Sequence, residues 1–88
     1  MTASIVLYTS RLCGYCSAAK RMLDKKGWNY ETISVDGNAA VRAEMQERSG
    51  RRTVPQIYFG ETHVGGYDDM AALESAGKLD TLYESLEQ

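Results

Sequence analysis

Histidine, proline and cysteine are scarce in this chain: His63 and Pro55 are single, and the only thiols are Cys13 and Cys16. A structural zinc centre usually takes four Cys or His ligands, so two cysteines and one histidine do not complete one. A framework of several disulfides is excluded on the same count, and one crosslink is the most the chain can form. No sign of charge dominates. Ten basic and twelve acidic residues are interspersed through 88 positions, and no basic stripe offers itself to a nucleic-acid backbone or an anionic membrane. The longest apolar run near the start, "IVLY", is far short of a signal h-region or a membrane span, and "MTAS" before it is not cationic. The expectation is a cytoplasmic protein, where reducing poise makes a close cysteine pair more often catalytic or metal-binding than structural. Repeats, low-complexity tracts and linkers are absent as well, so residues 1–88 are read as one small α/β domain.

The order of elements follows from patterning. "SIVLYT" (4–9) is β-branched and aromatic, and it runs directly into "RLCGYC". From Cys16 onward, Ala19, Met22 and Leu23 recur at helical spacing up to Gly27. "YETISVD" alternates as a second strand, and two strands joined by a helix make a parallel βαβ unit. Asn38 caps a second helix, which buries Val41 and Met45 and ends at Gly50. "QIYF" and "THVG" flank Gly60-Glu61, the signature of a type II′ hairpin, so this half of the sheet is antiparallel. Asp68 or Asp69 starts a short helix, and Leu79, Leu82, Tyr83 and Leu86 form the apolar stripe of a last one. The result is βαβαββα plus a C-terminal helix, around a four-stranded mixed sheet.

The cysteines therefore sit where a strand gives way to a helix. A thiol attacks only as thiolate, and the unpaired N–H groups and positive dipole end of a helix start favour that anion by roughly 0.3 to 1 kcal/mol, and up to about 2 when partly buried. Arg11 is a candidate second source of positive charge, and the Cys16 thiol a candidate hydrogen-bond donor to the Cys13 sulfur. Cys16 lies three residues on, on the same helical face, at about 5 to 6 Å, within reach of disulfide formation. This makes Cys13 the candidate nucleophile and Cys16 the candidate resolving thiol. Inert packing of two small apolar residues is the alternative, and Tyr15 alone is as well explained by a surface aromatic. His63 is read as an exposed strand residue.

Taken in order, "CGYC" after a first strand, "TVP" before a hairpin and "GGYDD" opening a helix resemble the dithiol glutaredoxins of the small bacterial type. The resemblance spans nearly all of the chain. It implies a thioredoxin fold with a cis bond before Pro55, and a glutathione-dependent oxidoreductase that reduces protein disulfides and glutathione mixed disulfides. It also implies a site. Thr53, Val54 and Pro55 match the loop that pairs with the cysteinyl part of glutathione. Gly66, Tyr67, Asp68 and Asp69 match the helix start that receives its γ-glutamyl end, Asp69 facing the ammonium. Arg42 matches the cation for its glycine carboxylate, with Arg11, Tyr15, Arg51 and Arg52 as further contacts. The partners implied are glutathione and disulfide-containing or glutathionylated proteins, of which ribonucleotide reductase is family-typical, and the protein is expected to be a monomer.

Two departures matter. Gly14 stands where relatives usually have proline, and Ser10 where they have lysine, with Arg11 one residue displaced. In this family a small residue at the first position is compatible with a [2Fe-2S] cluster bridged between two subunits through the nucleophilic cysteine, here Cys13, and two glutathiones. A cluster-binding protein is thus the competing reading, and a thioredoxin-like protein reduced by a flavoenzyme is a third.

Overall fold

The structure, a computed structural model, describes residues 5–86; Ser4, expected in the first strand, and the last two residues of the "LDTLYESLEQ" segment lie outside them. Eight elements follow in the expected order: β1 (Ile5–Thr9), α1 (Gly14–Lys26), β2 (Glu31–Ser34), α2 (Ala39–Ser49), β3 (Gln56–Phe59), β4 (Thr62–Gly65), α3 (Tyr67–Ser75) and α4 (Leu79–Leu86). Strand order is β2-β1-β3-β4. β1 runs parallel to β2, with Leu7 opposite Thr32, and antiparallel to β3, with Leu7 opposite Ile57. The β3–β4 hairpin turns at Gly60, whose φ of 63° with no positive φ at Glu61 is what a II′ turn requires.

The sheet is covered on both faces, and the strand sequences divide accordingly. Ile5, Leu7, Ile57 and Phe59 point to one side, where Ala19 and Leu23 of α1, Met70 of α3 and Leu79 of α4 close over them. Tyr8 and Tyr58 point to the other, against Val35, just after β2, and Met45 of α2, with Ile33 and Val41 at the margin. At 20 to 33 cal/mol per Å² of apolar surface, these two layers are the main source of stability in a chain without a crosslink. The last helix is held by a stack of Trp28 on Tyr83, 4.0 Å between ring centres, and by Lys26, whose Nζ lies 2.8 Å from both Glu74 and Asp80.

One boundary differs from the sequence reading. α3 begins at Tyr67 with Gly66 as its cap, not at Asp68 or Asp69. The physical reason is that Asp69, at the third helical position, folds back so that its Oδ2 accepts the Gly66 N–H at 2.9 Å. The carboxylate caps the helix from inside it, and the glycine before it supplies the turn.

Candidate functional site

Cys13 is the N-cap of α1. Its backbone is extended (φ −131°, ψ 109°), and its Sγ accepts the backbone N–H of Cys16 at 3.2 Å. The sulfur thus occupies the place that a serine or aspartate oxygen takes in other helices, where an anion is favoured by both the hydrogen bond and the dipole. The Cys16 thiol, expected from the sequence as a donor to Cys13, faces that sulfur, and the Cys16 backbone N–H is a second donor to it. On its other side Cys13 faces the loop before β3, with its thiol donating to the Val54 carbonyl at 3.6 Å. Cys16 is buried, at 1 % exposure. Burial, and after it the neighbouring Cys13 sulfur, push the Cys16 thiol above its ordinary value, against weaker pulls from the Thr9 side chain and the Ser10 backbone. The two thiols, both free, are therefore unlike: one half-buried at the helix cap, the other buried one turn in and held protonated.

Beside Cys13 lies a cleft of about 240 Å³ lined by Tyr15, Arg51, Thr53, Val54, Pro55, Gly66, Tyr67, Asp68 and Asp69. Three stretches far apart in sequence meet here, the start of α1, the loop before β3 and the start of α3. The Val54–Pro55 peptide is cis. Tyr15 and Tyr67 stack at 6.2 Å and form one wall. At the opposite end Arg51 donates from Nη1 to Asp69 Oδ2 at 2.8 Å, the same oxygen that accepts the Gly66 N–H. Arg51, followed by the Gly66 N–H, holds the Asp69 carboxyl below the usual carboxylate range. Close packing fixes this corner: Gly65 has φ 117°, and a Cβ added there would sit 2.8 Å from Asp69 Cγ.

Arg11 and Arg42 do not line the cleft. Both act on Asp36, which accepts the Ser10 hydroxyl at 2.7 Å and the Arg11 N–H at 2.8 Å and so ties the segment before Cys13 to the turn after β2. Ser10, in the position of the usual lysine, is spent on this tie. The Ser10 hydroxyl first, then the Arg11 N–H, lower the Asp36 carboxyl. A folded-state value below the unfolded one contributes stability that is present above the ordinary carboxylate value near ~3.9 and is lost as pH falls through the folded value. Asp36→Asn is therefore expected to lower Tm modestly at pH 7 and to flatten its fall below about pH 4, so that variant and wild type converge in acid, measured by thermal melts against pH.

The sequence reading leaves three positioning residues unremarked or misplaced. Asp36 reads there as a strand end. Gln56, fully buried on β3, donates from Nε2 to the Thr53 carbonyl at 2.9 Å and to its hydroxyl at 3.2 Å, which pins the loop that carries Val54. His63 is not an exposed strand residue: it is half-buried against the Tyr58 ring at 4.9 Å, and its Nε2–H donates to Gln56 Oε1 at 2.7 Å. Burial, then the charge of Arg51, lower its imidazole. The only local signal for Gln56 is a polar residue in an otherwise apolar strand.

Among the described residues no three His, Cys, Asp or Glu side chains gather as they would to hold a metal ion. No helix among the described residues is long and apolar enough to cross a membrane.

The comparisons with known proteins agree with this geometry. Residues 5–64 match the family model described as Glutaredoxin. A Pseudomonas aeruginosa protein named Glutaredoxin is 53% identical over 78 residues, covering 89% of this chain and 93% of that one. Glutaredoxin 3 of Escherichia coli K12 is 49% identical over 80 residues, covering 91% of this chain and 96% of its own. Among solved structures, a buckwheat glutaredoxin–glutathione complex superposes with a TM-score of 0.88 at 32% identity, covering 97% of this chain and 80% of that one. A parallel–antiparallel four-stranded sheet with a dithiol at the first strand–helix junction, together with these matches, places the chain in the glutaredoxin family, as a small bacterial-type thiol-disulfide oxidoreductase of thioredoxin fold.

Proposed function

We propose that the protein is a glutathione-dependent oxidoreductase in which Cys13 is the nucleophile and Cys16 the resolving thiol. The observation that carries this is the Arg51–Asp69 pair at the start of α3, inside the cleft that Cys13 borders. An acid and a base held side by side match the zwitterionic α-amino-acid end of a γ-glutamyl thiol. The ammonium goes to Asp69, and the carboxylate to the free N–H groups at the α3 N-terminus and to Arg51. The Val54 backbone, next to the Cys13 sulfur, is placed for the cysteinyl part of the ligand, with Thr53, Pro55, Gly66, Tyr67, Asp68 and Tyr15 as the remaining surface. The glycine carboxylate then falls toward Arg11 and Arg42, on the Asp36 side. The structural likeness to a glutaredoxin held with glutathione supports the same reading.

In the reaction, the Cys13 thiolate attacks the glutathione sulfur of a protein–glutathione mixed disulfide. A new Cys13–glutathione bond forms and the protein thiolate leaves. A second glutathione thiolate attacks that bond, releasing oxidised glutathione and restoring the Cys13 thiolate. With a protein disulfide, Cys13 forms a mixed disulfide with the substrate. Cys16 loses its proton and displaces the substrate thiolate, leaving a Cys13–Cys16 disulfide that two glutathiones reduce. The substrates are glutathionylated and disulfide-bearing proteins, reductases that cycle through a disulfide included. The protein acts as a monomer in the cytoplasm.

The test is the reductant. With the mixed disulfide of glutathione and 2-mercaptoethanol as substrate, glutathione alone is expected to sustain turnover. Turnover that requires a thioredoxin reductase and is not supported by glutathione would overturn the proposal.

A further inference from the structure

The segment between α2 and β3 that carries Thr53 and Val54 has no backbone–backbone hydrogen bond, among the described residues, from Arg51 to Val54. Side chains hold it instead. At its start the Ser49 hydroxyl accepts the Arg51 N–H at 3.0 Å, and at its end Gln56 Nε2 donates to the Thr53 carbonyl and hydroxyl. Neither Gln56 nor His63 lines the cleft, but Thr53 and Val54 do, and the Val54 carbonyl faces Cys13 Sγ. Elementary chemistry places the protons of this chain of contacts. A carbonyl only accepts, so the nitrogen end of the Gln56 amide faces Thr53 and its oxygen faces His63. That oxygen only accepts as well. His63 therefore carries a proton on Nε2, and in the neutral ring, which burial and the Arg51 charge favour, Nδ1 is bare.

We propose that His63, outside the cleft, is a positioning residue for glutathione: its Nε2–H fixes the Gln56 amide, and through it the Thr53–Val54 backbone beside Cys13. This rests on the glutathione reading of the cleft. Without that donor the oxygen of the fully buried Gln56 has no partner, and the amide can find one only by turning away from Thr53. The Thr53 carbonyl then loses its donor in turn. A segment with no backbone bonds of its own must be ordered by the ligand, and that cost falls on affinity. The Cys13 cap on α1 is not part of this chain of contacts, so the sulfur chemistry is untouched.

Turnover of the mixed disulfide of glutathione and 2-mercaptoethanol, with glutathione varied, tests this. His63→Leu is expected to raise KM for glutathione about three- to tenfold with kcat nearly unchanged, the scale of one buried hydrogen bond. His63→Gln, which can present an N–H donor at the same place, should bring KM back. In a Gln56→Met background His63→Leu should add nothing further, because the two residues act as one unit. Long-range proton–nitrogen NMR spectra of the wild type should show the His63 proton on Nε2 at neutral pH. Four results overturn the positioning role and leave the glutathione reading standing: an unchanged KM in His63→Leu, a raised KM that His63→Gln does not lower, effects of His63→Leu and Gln56→Met that add in full, or a neutral His63 protonated on Nδ1. A wild type that glutathione does not turn over overturns both.

Discussion

Replacing Cys13 by serine is expected to bring reduction of a glutathione mixed disulfide to background, whereas Cys16→Ser keeps that activity and loses reduction of protein disulfides. The asymmetry comes from position. The Cys13 sulfur accepts an N–H bond at the helix cap and lies against Val54, which lines the cleft, so it is within reach of a thiol seated there. Serine at this site retains the cap, since its oxygen accepts the same N–H, and the fold should be unharmed. A hydroxyl is not ionised near neutrality, however, and cannot form the sulfur–sulfur bond on which both halves of the reaction depend. Cys16 is buried and protonated, needed only when a polypeptide must be displaced from Cys13. Turnover of the mixed disulfide and of an insulin-type disulfide, measured on both variants, checks the pair of outcomes. Mixed-disulfide activity that survives loss of Cys13 would contradict the roles given to the two thiols.

Gly65→Ala is expected to damage the opposite end of the cleft and the fold together. At φ 117° a side chain is strained, and the added Cβ would lie 2.8 Å from Asp69 Cγ and 3.0 Å from Asp69 Cβ. Asp69 must then move, and with it go its bonds to the Gly66 N–H and to Arg51. Strain at such a φ and loss of a helix cap together amount to about 2 to 4 kcal/mol. For a domain of this size that is a fall in Tm of at least about 10 °C. Asp69→Asn separates binding from folding: it keeps an oxygen for the Gly66 N–H and removes the charge. Its expected signature is a KM for glutathione raised roughly tenfold with kcat nearly unchanged, since a charge-assisted bond to the ligand is lost and the sulfur chemistry is not touched. Little stability goes with it, because the Arg51–Asp69 pair is about half exposed and such pairs are worth ~0 to 1 kcal/mol. Wild-type KM in Asp69→Asn would remove Asp69 from the ligand.

Local signals carried most of the fold. The β-branched run at the start, the helical spacing of Cys16, Ala19 and Leu23, the Asn38 cap and the Gly60-Glu61 turn each specify their element without help from elsewhere, and each is where the sequence puts it. The start of α3 is different. Asp69 reads as a cap because of its residue type, yet its carboxylate caps from the third helical position, and that depends on the packing of Gly65 beneath it. The site is legible to the extent that it is local or resembles a known pattern. Cys13, Cys16 and the Thr53–Pro55 loop are found that way. What escapes is contact between distant segments: Asp36 holding Ser10 across 26 residues, Gln56 and His63 bracing the loop, and the choice of Arg51 as the cation of the cleft while Arg11 and Arg42 gather at Asp36. A pairing of that kind is set by sheet order, and no composition or spacing rule contains it.

The unequal thiols are the centre of this account, and trapping the intermediate addresses them most directly. Cys16→Ser, treated with oxidised glutathione and analysed by intact mass and peptide mapping, is expected to carry one glutathione, on Cys13, which added reduced glutathione removes. Under the same conditions Cys13→Ser should carry none on Cys16. Equal labelling of Cys16 in Cys13→Ser, or no reversible adduct on Cys13, would contradict the assignment of nucleophile and resolving thiol.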